Sequence, residues 1–154
     1  MSEYSCHWGF NRIEDSTLQR DKNLRDLSSE HHQALGLARE IKNVGQDKAA
    51  IHALIARVAK VFKEELLPHF EVEEQAILPE LQKAGETILV ERTIADHVEL
   101  KRLVAALDEQ GNLQKFSECL KAHVRFEERE LFEVCQRALD SETLEKIGNY
   151  NHSI

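Results

Sequence analysis

Apolar residues recur three and four apart along four long stretches of the chain, the spacing that gathers them on one side of an α-helix. The first stretch, about Thr17 to Asn43, places Leu24, Leu27, Ala34, Leu35, Ala38 and Ile41 on one face, and Gly45 ends it. The second, about Asp47 to Lys83, runs through Ile51, Ile55, Val58, Val61 and Leu66 and stops at Gly85. Within it Pro68 removes a backbone donor, so a kink or break is expected there. The third, about Thr87 to Glu109, turns Ile94, Leu100, Val104 and Leu107 inward. Gly111 and Asn112 form the next break, with Asn112 as N-cap. The fourth, about Leu113 to Leu139, turns Leu113, Phe116, Leu120 and Leu131 inward, and a short helical tail follows over Ser141 to Ile147. No stretch alternates with the period of a strand.

Connections this short make sequential helices antiparallel, so the pattern predicts an all-α, up-down-up-down four-helix bundle. The organisation along the chain is then an N-terminal arm over 1–16, the bundle over 17–140 and a tail over 141–154. The bundle also repeats itself. HFEVEEQAIL from His69 matches HVRFEERELF from His123, and EHHQAL around His31 answers DHVELK around His97. Two hairpins of one plan result, each ordered His, then His-x-x-x-Glu.

That repeat puts ionisable groups into apolar stripes. Residues four apart on a helix project from the same side, so His69 with Glu73, and His123 with Glu127, each offer an imidazole and a carboxylate to one point. His31 lies between Leu27 and Leu35, and His97 between Ile94 and Leu100, again on inward faces. Inward ionisable groups are costly unless paired or bound to metal. Counting residues from the turns brings His69, His97 and His123 to similar depths. The first connection is uneven, with 14 residues from His31 to Gly45 but 24 from Gly45 to His69, so loop or overhang is expected there.

Imidazole with carboxylate and no thiolate suits iron, manganese or zinc. A carboxylate from each hairpin, placed among four histidines, is what two adjacent cations need as bridges. Iron is favoured because open positions on it bind dioxygen, peroxide or nitric oxide. The plainer alternative for the six residues is a polar core network of histidines bonded to glutamates.

Composition narrows the classes. A net charge of -8 argues against nucleic acid and anionic membrane surfaces as partners. No apolar run reaches the roughly 20 residues of a membrane span, and MSEYSCHWGF has neither the basic start nor the apolar core of a signal peptide. Cys6, Cys119 and Cys135 are three, without CxxC spacing, which fits reduced thiols in a cytoplasm.

The motifs EHHQAL at His31, HFEVEEQAILPEL at His69, DHVELKRL at His97 and HVRFEERELF at His123 resemble the hemerythrin-like, or HHE cation-binding, domain family, in its order, over about Asp21 to Leu139. The resemblance implies two non-haem iron ions with oxo or hydroxo and carboxylate bridges, held by His31, His69, Glu73, His97, His123 and Glu127. Glu128 is the reserve for Glu127, because some members use the position five after the histidine. Oxygen-carrying members have a fifth histidine, as His-x-x-x-His on the third helix. Here Thr93 and Lys101 stand four residues either side of His97, which turns the expectation from oxygen storage toward a more open and reactive centre. Ferritin-like bundles use Glu-x-x-His, whereas Leu66, Ile94 and Leu120 stand three before His69, His97 and His123.

The function expected is therefore binding of a small oxidant or diatomic for sensing or detoxification, as an oxidoreductase if it is an enzyme. The alternatives are an iron-handling or iron-donor role, as in iron-sulfur repair, and oxygen storage or transport. Of the other polar residues, Glu74 and Glu128 are expected to face solvent or to orient histidines, and Cys119 to pack. His32 and His52 are read as surface or structural residues, His7 and His152 as solvated, and Trp8 and Phe10 as covering a bundle surface.

Overall fold

The structure is a computed structural model, described over residues 19–153, so the expectations for Cys6, His7, Trp8 and Phe10 lie outside the described residues. Within them the chain is all-helical, with five helices. We label these α1 (Arg25–Lys42), α2 (48–83), α3 (Thr87–Val104), α4 (112–138) and α5 (Ser141–Ser153). No helix is long and apolar enough to cross a membrane.

Several boundaries depart from the sequence reading. α1 begins at Arg25, not near Thr17, because Asp21 closes a turn by accepting from the backbone of Asn23 and of Leu24. α3 ends at Val104 and the chain continues in turns toward Gly111. Gly111, at φ 87°, is itself the residue flanking α4, while the Asn112 amide side chain donates to the carbonyl of Ala106. Asp47 caps α2 by accepting from the backbone of Ala50 at 2.9 Å. α5 extends to Ser153 and buries Leu144 and Ile147, so the tail is a full element.

Pro68 does not break α2. The preceding Phe62–Leu66 is a π-helical turn in which the Leu67 N–H bonds to the Phe62 carbonyl, five residues back. This wider turn relieves the contact between the proline ring and the carbonyl four residues before it. Two more π turns follow, Glu73–Ile77 ahead of Pro79, and Glu127–Leu131 in α4. The overhang expected near Gly45 is also present: α2 buries nothing before Leu54, and Arg57 already pairs with Glu40 at 2.8 Å.

Side-chain pairings give the helix directions. Gln114 and Ser117 of α4 donate to the carbonyls of Ile41 and Ala38, while Ser28 donates to Glu128. α1 and α4 therefore run antiparallel. Glu40 with Arg57 and Glu30 with His69 do the same for α1 and α2, and Gln82 with Thr87 and Glu74 with His97 for α2 and α3.

The apolar residues form two clusters. One holds Ala34, Leu37, Ile41, Val58, Phe62, Leu66, Phe70, Leu103, Phe116 and Leu120. The other holds Leu24, Leu27, Val72, Ile77, Leu81, Phe126, Leu131, Phe132, Cys135 and Ile147. On α3 the buried face runs Val90, Thr93, His97, Leu100, Leu103, and Ile94 is 43% exposed, one step out of that phase. The expectation that Ile94 points inward is thus corrected. Along each long helix the boundary between the two clusters falls at buried histidines and glutamates.

Candidate metal centre

His31, His69, Glu73, His97, His123 and Glu127 are all buried, and both glutamates are fully so. They meet as two overlapping groups: His31, His69, Glu73 and Glu127, and Glu73, His97, His123 and Glu127. Within each group one nitrogen or oxygen per residue lies within 4.8 Å of the others. Glu73 lies 2.9 Å from His69 Nε2 and 3.0 Å from His97 Nε2; Glu127 lies 3.0 Å from His31 Nε2 and 3.1 Å from His123 Nε2. Each glutamate thus touches histidines of both groups. Both also open a π turn, whose extra residue shifts the phase of the helix beyond them.

The other ring nitrogen of every histidine faces a carboxylate. His31 Nδ1 is 2.6 Å from Glu128, His69 Nδ1 is 2.7 Å from Glu30, His97 Nδ1 is 2.6 Å from Glu74, and His123 Nδ1 is 2.9 Å from Asp96. An ionised carboxylate only accepts, so each Nδ1 carries a hydrogen and donates it. The pairs form a ring: α1 supplies the carboxylate for α2, α2 for α3, α3 for α4, and α4 for α1. Glu74 and Glu128 take the orienting role allowed for them in the sequence, and Glu128 sits outside the cluster, on the far side of His31. Glu30 and Asp96 were not anticipated. The available signal was that each outer carboxylate adjoins an inner residue, as Glu30-His31, Asp96-His97, Glu73-Glu74 and Glu127-Glu128.

With hydrogens on Nδ1, the Nε2 lone pairs point into a space lined by carboxylate oxygens. His31 Nε2 and His69 Nε2 stand 3.2 Å apart, and both Glu73 oxygens, Glu127 Oε2, His97 Nε2 and His123 Nε2 lack a hydrogen-bond partner. Buried acceptors turned on one another need positive charge between them. Cations supply it, and so would extra protons. With protein groups alone, burial opposes the charged imidazoles, but Glu127 and Glu73 outweigh it at His97, pushing it up to about 9. At His123, Glu127 and Asp96 outweigh burial and give about 10. Against the same burial, His31 is raised by Glu127 and Glu128, and His69 well raised by Glu73, Glu127 and Glu30. Burial would raise the Glu127 carboxyl, yet His123, His31 and His69 hold it well below the usual range. The donor set fits a metal cation by both tests: nitrogen and oxygen lone pairs converge, and outer carboxylates fix the imidazole tautomers.

Aromatic rings complete the surroundings. Phe70 stacks on His97 at 3.9 Å between centroids, and Phe132 on His31 at 5.4 Å. Thr93 is buried with its hydroxyl donated to the Leu89 carbonyl, and Lys101 is exposed. His32 and His52 are exposed, and His152 pairs with Asp26 at the surface. Cys119 is partly buried against the first cluster, and Cys135 is fully buried in the second, where burial pushes its thiol up.

All-helical over its described residues, with buried histidine and glutamate groups that could hold metal, the chain has the features of a helical cation-binding domain. The profile of the hemerythrin HHE cation binding domain matches residues 22–135, and the chain belongs to that family. No curated protein and no solved structure is similar enough to the chain to count as a match.

Proposed function

We propose that this chain is a non-haem di-iron protein that binds a small oxidant or diatomic (dioxygen, nitric oxide or peroxide) for sensing or detoxification. One observation carries the reading: two overlapping ligand groups, each with two histidines, share Glu73 and Glu127. On this reading His31 and His69 hold one iron, His97 and His123 the other, and the two glutamates serve both. The ring of outer carboxylates and the antiparallel pairings support an up-down-up-down four-helix bundle around them.

Bound iron would supply redox chemistry and positions for a small ligand. The protein's own residues do the rest. Glu128, Glu30, Glu74 and Asp96 keep each imidazole in the Nδ1–H tautomer and aim Nε2 inward. Phe70 and Phe132 hold two of the rings by their faces, and the apolar clusters on either side keep bulk water out. Neither Thr93 nor Lys101 brings a further imidazole to the centre, which favours reaction over storage. The free thiols of Cys119 and Cys135 support a reducing, cytoplasmic setting.

The test is metal analysis of protein purified without added metal, followed by optical titration with nitric oxide and peroxide. About two irons per chain and a ligand-dependent spectrum are expected. Zinc in place of iron, or a spectrum unmoved by either ligand, would overturn the reading.

A further inference from the structure

The four outer carboxylates are not equally held. Glu128 accepts from Ser28 at 2.7 Å and from Arg20 at 3.2 Å, and Arg20 also reaches Gln136 at 2.9 Å and lies 5.5 Å over the Phe132 ring that stacks on His31. Asp96 faces Arg92 at 3.3 Å, and that guanidinium lies 4.3 Å over Phe126. Among the described residues, Glu30 and Glu74 have no side-chain partner except their histidines. Each ligand group therefore has one histidine backed through its carboxylate by arginine and one that is not. Of the two without arginine, Glu30 is the more open, its side chain 48% exposed against 32% for Glu74.

A cavity of about 400 Å³ opens beside Glu30, between α1 and α2, with Asn151 of α5 in its wall. Its wall includes Glu30, Gln33, Glu64, Glu65, Pro68 and His69 itself. Behind that ring, His69 Nε2 is 2.9 Å from a Glu73 oxygen that has no hydrogen-bond partner. A cation with six waters, at about 30 Å³ per water, occupies roughly 180 Å³ and fits. The space at the other arginine-free carboxylate, Glu74, is walled by Gln75, Leu78, Pro79, Gln82, Val90 and Ile94 and does not reach His97. Among the described residues, a space lined by Asp96, Glu99, Cys119 and Ala122 reaches His123, but it is about 100 Å³, too small for that hydrated ion. No lysine or arginine lines the α1–α2 cavity, and Lys60 makes only an exposed pair with Glu64 at 3.3 Å.

We propose that the α1–α2 cavity is the port through which a divalent cation enters and leaves the centre, with Glu30 and His69 as its gate. The inference rests on the metal-centre reading. Glu64 and Glu65 raise the local cation concentration at the mouth. Glu30, able to turn because no arginine holds it, passes the ion inward as His69 turns with it. His31, fixed by Glu128 and Arg20, stays in place to receive it.

The experiment is the rate of cobalt(II) uptake by the chelator-stripped full chain, followed optically, with the final cobalt content measured separately. The exposed rim variant Glu64→Gln/Glu65→Gln should load about three- to tenfold more slowly, with a weaker dependence on salt. The control Glu142→Gln/Glu145→Gln, the same charge change on α5, should load like wild type. A plug at the mouth, Gln33→Trp, should slow uptake and chelator-driven loss by a similar factor and leave the final content unchanged. Rates for the rim variant equal to those of the α5 control, with two cobalts bound, would overturn the port alone. Failure of wild type to hold two cobalts would overturn the metal-centre reading, and the port with it.

Discussion

At the scale of single residues, adjacent glutamates do different work. Glu127 lies in both ligand groups, whereas Glu128 touches the cluster only through the Nδ1 side of His31. On the di-iron reading, Glu127→Gln should therefore lower metal content from the two per chain proposed to one or none. Glu128→Gln should keep two and weaken affinity about 10- to 100-fold, as loss of an outer hydrogen bond usually does. Metal content after dialysis and a chelator competition separate the two, and equal loss in both variants would count against this assignment. The raised histidines give a second expectation, for metal-stripped protein. His97 and His123 shift from the ordinary 6.5 to about 9 and about 10, so folding favours their protonated forms. That contribution is complete below pH 6.5 and disappears as pH rises through the folded values. Stripped protein should lose thermal stability between pH 6.5 and about 10, while metal affinity rises over the same range because binding displaces those protons. Melting curves of stripped protein that stay flat across this window would mean that the histidines are neutral without metal.

At the scale of elements, the π turns decide which side chains face the centre. Each adds one residue to a helical turn, and the third, Glu127–Leu131, does so without a proline. Deleting Arg129 should let that segment close into ordinary α-helix, with the Phe132 N–H still bonded to the Glu127 carbonyl, now four residues back. Phe132, Cys135 and Gln136 would then keep their places on His31, in the second cluster and at Arg20. Helical circular dichroism should be kept and the melting temperature should stay within a few degrees of wild type, whereas the same deletion at Lys121, in ordinary helix, should lower it by about 10 °C. Equal losses for the two deletions would show that the turn does not absorb an extra residue. These turns also mark the limit of what the sequence discloses. Stripes such as Leu24, Leu27, Ala34 and Ile41 announce helices because burial is periodic, and a histidine in such a stripe stands out because burying it needs a reason. A π turn has no periodic signature: Pro68 signals an irregularity, but nothing in EEREL distinguishes a π turn from ordinary helix. Ile94 misleads because α3 has apolar residues all round it, and only packing against α2 and α4 selects Val90, Thr93 and His97 as its inner face. Glu30 and Asp96 were silent because each serves a histidine on another helix, a relation that needs the register between helices.

At the scale of the whole molecule, a polar layer crosses the interior. The first cluster lies on the side of the 43–47 and 105–111 connections, the second on the side of 84–86 and α5, and the six candidate ligands separate them. Apolar packing alone therefore makes two cores, and what joins them is this layer together with its ring of outer carboxylates. Occupied by metal, the layer ties four helices through six side chains at one level, so neither end can open without breaking those bonds. Stripped of metal, the same layer holds buried charges in partial balance, and opening one end exposes them to water at less cost. Metal should therefore convert two partly independent folding units into one. Native-state hydrogen exchange tests this directly. In loaded protein, amides near Leu103 and Phe116 and amides near Leu27 and Ile147 should report one common opening free energy. In stripped protein the two sets should diverge, and the second should open first. It depends on α5 and on the Arg20 segment, which are the last and first described parts of the chain. A single common value in stripped protein would mean that the two clusters are already coupled through the helices, leaving the metal a chemical role and no part in cooperativity.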